Sequence, residues 1–335
     1  MYPLKFQPVF QKRLWGGNRL RTVLGKSAPA EETIGESWEL ADLPAGTVKA
    51  DSRGAAADGS LASVITNGAW AGKTVHDVIS DLKFESSDSK RGYFPLLIKF
   101  LDASQDLSVQ VHPDAAYCKA HPGSHLKSEA WYILHAEPGA RIYKGVKAGV
   151  TREQFKAGLE GGNVEPLLNV IRVRTGDCHF LPSGTVHAMG AGILAAEVQT
   201  PSDTTFRVFD WNRLEANGKP RTLHIKEALE CISFDAVATP SAIEGSGSPV
   251  ATRLAACEFF TIDRVELPLG DTQIVAPEMA VWIVLNGQGV ITVDGQANTA
   301  FAKGDTLLLP AGMENPRVRT IADCAWLEVK ALGKC

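Results

Sequence analysis

One passage occurs twice in this chain. Gly176-Asp177 is followed by Leu181-Pro182-Ser183-Gly184, and Gly304-Asp305 is followed by Leu309-Pro310-Ala311-Gly312. In each copy a Gly-Asp turn opens a short apolar strand that a Pro-containing turn then closes, and recurrence of a whole strand, turn and strand passage means that one unit is built twice. Before the second copy, the run from Ala280 to Gly295 reads as two strands around a glycine turn. Short strands of this kind close into small β-barrels, so two barrels of one type are expected.

Between the copies, the run from Ala238 to Pro249 is rich in Gly, Ser and Pro and almost free of apolar periodicity, as in a flexible connection. It divides the chain into 1–240 and 250–335. With 335 residues and 44% hydrophobic content, each part can fill a core. In the first part, strand-like runs such as Pro95 to Leu101 and Gly192 to Gln199 alternate with helical patterns over 74–82, 151–159, 164–170 and 225–232. Thr151 and Gln154 are spaced as a capping box. The pattern predicts a mainly β chain with a few decorating helices, antiparallel rather than doubly wound.

Alternation in Leu107-Ser-Val-Gln-Val-His-Pro113 turns Gln110 and His112 to one side and Val109 and Val111 to the other. Glu129 heads the strand-like run to Leu134, and His187 follows the Pro182-Ser-Gly184 turn, which delivers it to the concave side of a barrel. Two imidazoles, a carboxylate and an amide oxygen can close around one divalent ion. That set leaves the ion net positive and Lewis acidic, which suits Zn²⁺, one per chain. A histidine near a strand end also serves as a hydrogen-bonded structural residue. In the second copy Asn315 stands in the place of His187 and nothing like Gln110-Val-His112 precedes it, so that barrel is expected to be metal-free and to brace the first.

The formal charge of −4, with no run of Lys or Arg, argues against nucleic acid or an acidic membrane surface as partner. No apolar run reaches the roughly 18 residues a spanning helix needs, and the N-terminus lacks the layout of a signal peptide, so a cytoplasmic monomer or homodimer is expected. Six scattered cysteines without a CxxC pair predict reduced, mostly buried thiols, with Cys335 an exposed chain end.

Seven stretches in a fixed order carry a resemblance. They are Leu14-Trp-Gly-Gly17, Gly35-Glu-Ser-Trp-Glu39, Leu97-Ile-Lys-Phe-Leu-Asp102, Ser108-Val-Gln-Val-His-Pro-Asp114, Lys127-Ser-Glu-Ala-Trp-Tyr132, Pro182-Ser-Gly-Thr-Val-His-Ala188 and Ser202-Asp-Thr-Thr-Phe-Arg-Val-Phe-Asp-Trp-Asn-Arg213. Almost end to end, the chain resembles the cupin superfamily and, more narrowly, the short bacterial form of the type I mannose-6-phosphate isomerases. The resemblance implies two cupin-type (jelly-roll) barrels, a small phosphorylated sugar as substrate, zinc ligands at Gln110, His112, Glu129 and His187, and a catalytic arginine at Arg207.

Aldose–ketose interconversion passes through an enediol whose oxygens bear developing negative charge. A fixed guanidinium stabilises that charge without losing a proton. Arg207 is expected on the strand face opposite Phe206 and Val208, a surface ion pair being its alternative. Lys127, on the same face as Glu129, and Glu197 are the candidates for the proton shuttle, with Glu197 alternatively a partner of a ligand histidine. Of the two, Lys127 is expected to be catalytic and Glu197 to bind substrate. Lys99 can meet the phosphate as a point charge, or be a solvated barrel-end lysine. Ser37 or Glu39 can hydrogen-bond sugar hydroxyls, Trp38 packs, and Gly16 and Gly17 admit a close ligand or a positive φ. Two His and one carboxylate also suit a non-haem iron dioxygenase, the enzymatic alternative. A non-catalytic sugar-phosphate-binding regulatory cupin is the other.

Overall fold

A computed structural model describes residues 1–48, 52–82, 92–215, 218–235, 250–275 and 278–332. The connection expected at 238–249 and Cys335 lie outside the described residues. The chain is mainly β and, among the described residues, stacks four antiparallel sheets, besides a two-stranded one in which Asp42–Leu43 pairs with Leu61–Ala62. The outermost has five strands in the order Leu168–Arg172, Arg141–Val146, His187–Met189, Val109–Val111, Phe206–Phe209. Facing it is a six-stranded sheet in the order Cys178–Leu181, Glu129–Ala136, Ile193–Gln199, Leu97–Ala103, Ile34–Leu40, Val9–Gly17. A second six-stranded sheet and a four-stranded sheet complete the stack.

The repeat seen in the sequence is a repeat of topology. In the second six-stranded sheet, Thr306–Leu309, Ala280–Asn286, Cys324–Ala331, Phe260–Leu267 and Ala251–Ala256 follow the order of the first five strands of its partner. The four-stranded sheet, Thr299–Ala302, Gln288–Thr292, Arg317–Thr320, Thr272–Ile274, likewise repeats four strands of the outermost one. One strand crosses between the halves. Leu4 and Lys5 pair with Leu308 and Leu307, so the N-terminal segment covers the edge of the second half's sheet.

Alternation along the strands decides which face meets which neighbour. In Ile193–Gln199, Leu194, Ala196 and Val198 join a core shared with Ile262, Val281, Leu327 and Val329 of the second half. Ile193 and Ala195 instead face the first barrel's interior with Trp131 and Met189, while Glu197 and Gln199 make that interior polar at one end. The outer sheet turns Val109, Val111 and Val208 away from the barrel onto Phe155, Leu159 and Leu229 of the helices Arg152–Glu160 and Ile225–Cys231. The first of these helices carries the expected capping box of Thr151 and Gln154.

Two helical expectations change. Residues 164–170 form a 3-10 turn, Glu165–Leu167, that runs into the strand Leu168–Arg172. Pro166 sits in the first turn, where its missing N–H is tolerated; the extended backbone from Leu168 is set by pairing with Arg141–Val146. At 74–82 the α-helix proper is only Val75–Val78, capped by Thr74 and Asp77 and continued by turns to Leu82. Gly16 and Gly17 serve neither a ligand nor a positive φ. A Cβ on Gly16 would stand 2.6 Å from the Gly35 nitrogen, and one on Gly17 2.7 Å from an Asp102 carboxylate oxygen, so both are glycine because backbone meets protein there. The five described cysteines are free, with Cys231 and Cys324 buried and the other three only half-buried.

Leu327 has no exposed surface and sits in the core that joins the halves. Leu327→Ala is expected to lower unfolding stability by about 2–5 kcal/mol in a denaturant titration.

Candidate metal centre and cleft

The first barrel brings its polar side chains together by register. His187 pairs with Gln110, and Gln110 pairs with Arg207, so three residues from three strands lie in one row. Directly paired residues share a face, and two strand spacings put the ends of that row about 10 Å apart. Glu129 comes from the facing sheet, as the first residue of Glu129–Ala136. Its Oε1 lies 3.1 Å from His187 Nε2 and its Oε2 3.4 Å from His112 Nε2. All three residues are at most 1% exposed, and their ligand atoms lie within 4.8 Å of one another. Among the described residues this is the one such cluster of His, Cys, Asp or Glu.

Hydrogen bonds fix the tautomers. His112 Nδ1 is 3.0 Å from the Thr204 carbonyl oxygen and His187 Nδ1 2.8 Å from that of Thr185. A carbonyl only accepts, so each Nδ1 carries the hydrogen and each Nε2 turns a lone pair toward the carboxylate. Burial, reinforced by the Lys127 charge and partly offset by Glu129, pushes His112 down to about 3, which keeps it neutral. Lone pairs therefore face lone pairs. His112 Nε2 and Glu129 Oε1 are buried without a hydrogen-bond donor, and Glu129 Oε2 has the Lys127 ammonium at 2.8 Å; each unmet acceptor costs about 1–3 kcal/mol, which a cation among them removes. The donor set fits a divalent metal. Gln110 adds its amide, whose nitrogen is 3.4 Å from His187 Nε2; a half-turn of that amide presents the oxygen instead.

Beyond the cluster an alternating line of charge crosses the barrel. Lys127 Nζ is 2.8 Å from Glu129 Oε2 and 4.0 Å from Glu197 Oε1. Lys99 Nζ is 3.3 Å from that same oxygen, donates to Gln199 Oε1 at 2.9 Å, and lies 4.9 Å from the Trp38 ring centre. Burial would lower the Lys127 pKa, but the charges of Glu129 and Glu197 raise it above the usual lysine value. Burial would raise that of Glu129, yet Lys127 and His112 hold it well below the carboxylate range. Trp131 donates from Nε1 to Glu197 Oε2 at 2.9 Å.

This line ends in a cleft of about 460 Å³ lined by Lys99, Gln110, Lys127, Glu197 and Arg207, together with Lys12, Glu36, Asp203 and Arg221. His112, Glu129 and His187 are buried outside that lining, next to two residues within it: Gln110 beside His187 and Lys127 beside Glu129. Arg207 points away from Phe206 and Val208, as alternation predicts. Its Nη1 donates to the Thr222 carbonyl at 2.9 Å, while its Nε has no partner. Burial, then the neighbouring Arg221 charge, lowers its pKa to about 10, so it stays cationic at neutral pH. The alternative of a surface ion pair does not describe it.

One strand was read in the wrong phase. In Ile34–Leu40, Glu36 and Trp38 face the barrel, and Glu36 lines the cleft. Ser37 and Glu39 face the other way, where Ser37 bonds to Glu39 and Glu39 pairs with Lys26 at 2.5 Å. The pairing of Trp38 with Lys99 and of Ser37 with Phe100 sets this phase, which a single strand does not reveal. Asp203, Arg221 and His224 were also missed; they line the cleft from the loops before and after Phe206–Phe209 and carry no periodicity.

Glu36 accepts from Arg13 Nε and Trp38 Nε1, each at 2.7 Å. Burial would raise its pKa, but the charges of Arg13 and Lys99 and these hydrogen bonds lower it to about 2. A folded-state pKa below the unfolded value stabilises the fold above the unfolded pKa and is lost on acidification. Between pH 4.5 and about 2 the fold should lose about 3 kcal/mol from this group. Stability of Glu36→Gln, measured at pH 5 and pH 3, should fall less steeply than that of the parent.

The profile of the phosphomannose isomerase type I catalytic domain matches residues 3–139. The mannose-6-phosphate isomerase of Streptococcus mutans is 38% identical over 311 residues, 92% of each chain. Mannose-6-phosphate isomerase ManA of Bacillus subtilis is 36% identical over 326 residues, 96% of this chain and 97% of that one. The crystal structure of the mannose 6-phosphate isomerase from Bacillus subtilis matches with a TM-score of 0.80 at 27% identity, covering 98% of this chain and 100% of that chain. The chain belongs to the type I phosphomannose isomerase family.

Proposed function

We propose that the chain interconverts mannose 6-phosphate and fructose 6-phosphate by proton transfer through an enediol. Catalysis lies in 1–240, around one zinc ion held by Gln110, His112, Glu129 and His187, and 250–335 is a metal-free brace. The observation that carries this reading is the pair of buried acceptor atoms without donors, His112 Nε2 and Glu129 Oε1, beside a cleft lined by a cationic guanidinium. When bound, zinc supplies the Lewis acidity that polarises the sugar's carbonyl and neighbouring hydroxyl oxygens.

The protein's own groups do the rest. Arg207 keeps its proton and meets the negative charge that grows on those oxygens as the enediol forms. Lys127, between Glu129 and Glu197, would take the proton from one sugar carbon at a neutral Nζ and return it to the other; a cation held by Glu129 would offset the carboxylate charge that otherwise keeps Nζ protonated. Lys99 binds the phosphate as a point charge. Glu197 binds substrate from the cleft wall, and its Oε1 sets where both ammonium groups stand. Charges at Lys99, Lys127 and Arg207 suit an anionic sugar, which disfavours a dioxygenase for apolar substrates. A binding module without turnover has no use for a Lewis acid. No helix among the described residues is long and apolar enough to cross a membrane. We place the enzyme in the cytoplasm as a monomer or homodimer, with neither nucleic acid nor membrane as partner.

Conversion of mannose 6-phosphate to fructose 6-phosphate, followed together with metal content, tests the proposal. His187→Ala should lose metal and activity together. Arg207→Ala should keep the metal and lose about 10²–10³ in kcat, the scale of a removed charge-stabilising donor. A metal-free His187→Ala protein that still turns over would contradict it.

A further inference from the structure

We infer that Asp210 is a positioning residue for Arg207, acting through the loop that holds the guanidinium; the inference rests on the proposed catalytic role of Arg207. Asp210 is 6% exposed and follows the strand Phe206–Phe209. It could have paired with Arg207. Instead its carboxylate is taken from two sides, by Arg213 Nη2 at 2.6 Å and by Arg221, whose Nε is 2.8 Å from Oδ2 and whose Nη2 meets Oδ1. This double pairing leaves Arg207 without a carboxylate and ties the start of the loop to its end.

The end of the loop is what holds Arg207. Thr222, next to Arg221, offers the carbonyl that accepts from Arg207 Nη1 at 2.9 Å. Two residues on, the His224 backbone N–H donates to the Arg207 carbonyl at 2.7 Å, and His224 Nδ1 accepts from the Arg207 N–H at 3.3 Å. No other hydrogen bond is made by the Arg207 side chain among the described residues, and its Nε stays free for a ligand.

The backbone just after Asp210 is an independent sign that the turn is held in place. Trp211 and Asn212, the next two residues, have φ of 55° and 54°. Left-handed backbone is unfavourable for a residue such as Trp211, less so for an asparagine, and persists where surrounding contacts over-determine it. Those contacts include the Asp210 ion pairs, the hydrogen bonds that the Asp210 carbonyl accepts from the Arg213 N–H at 3.0 Å and Nε at 3.3 Å, the bond from Trp211 Nε1 to the Leu107 carbonyl at 2.7 Å, and packing of the Trp211 ring on Tyr143 and Phe209. With the charge at 210 removed, the turn relaxes and the Thr222 carbonyl leaves Arg207.

The experiment is a double-mutant cycle of Asp210→Asn with Arg207→Lys on the metal-loaded enzyme, reading kcat, KM, metal content and thermal midpoint. Asp210→Asn alone should lower kcat at least tenfold, with KM changed less than threefold and metal retained. In the Arg207→Lys background it should cost less than a further twofold. Equal losses in both backgrounds, an unchanged kcat, or loss of metal would overturn the inference. Full activity of Arg207→Lys alone would instead remove the catalytic reading beneath it, whatever Asp210→Asn does. Arg213→Met, which loosens the clamp from outside the cleft lining, repeats the test if Asp210→Asn does not fold; a kcat loss confined to the Arg207 background supports the clamp, and none refutes it.

Discussion

Two imidazoles whose Nδ1 hydrogens are spoken for by the carbonyls of Thr204 and Thr185 turn lone pairs onto the Glu129 carboxylate. Such an arrangement is repulsive unless a positive charge stands among the atoms. Lys127 supplies one beside Glu129 Oε2, and a divalent ion completes the compensation. Much of the surrounding structure follows from that need. The ligands come from both sheets of one barrel, so the sheets must close at a fixed spacing. Glu197 and Gln199 hold Lys99 as Glu129 and Glu197 hold Lys127, so each of these two buried ammonium groups has acceptors.

The second barrel serves as an internal control for which of these features belong to the fold. Glu129 pairs with Leu181 in one half, and Ala280 pairs with Leu309 in the other, so the ligand position is occupied by alanine. Two residues on, Trp131 and Trp282 are equivalent, and each donates to a glutamate opposite it: Glu197 at 2.9 Å, Glu328 at 3.1 Å. The Trp–Glu bond thus recurs where the ligand position holds alanine. It is a brace of the barrel, which the first half also uses to aim Glu197 Oε1 at two lysines. Where the first barrel keeps ligands, the second stacks Trp282 on Trp326 with ring centres 4.3 Å apart and packs Phe301 edge-on against them.

The repeat and the site were legible for one reason each. Gly-Asp and Pro-x-Gly turns recur because equal strands need equal corners, and Gln110-Val-His112 betrays its inward face through the valines beside it. Where strands are buried on both faces, alternation fails. Ile34–Leu40 has polar residues on each side, so Glu36 and Ser37 were exchanged until pairing with Leu97–Ala103 set the phase. The strand Leu168–Arg172 was hidden behind Pro166, whose neighbours mimic a helix start. Crossing of Leu4 and Lys5 to the second half has no local signature, since nothing in a two-residue strand names its partner. Arg221 and Thr222 became visible only because Asp210 folds their loop back.

The central claim is that one cation sits among His112, Glu129 and His187. X-ray absorption at the zinc edge on the purified chain measures it directly. The account predicts one zinc per chain with about two imidazole nitrogens and further oxygen neighbours at about 2.0–2.2 Å, and loss of that signal in Glu129→Ala. A spectrum dominated by sulfur, or one unchanged by Glu129→Ala, would contradict it.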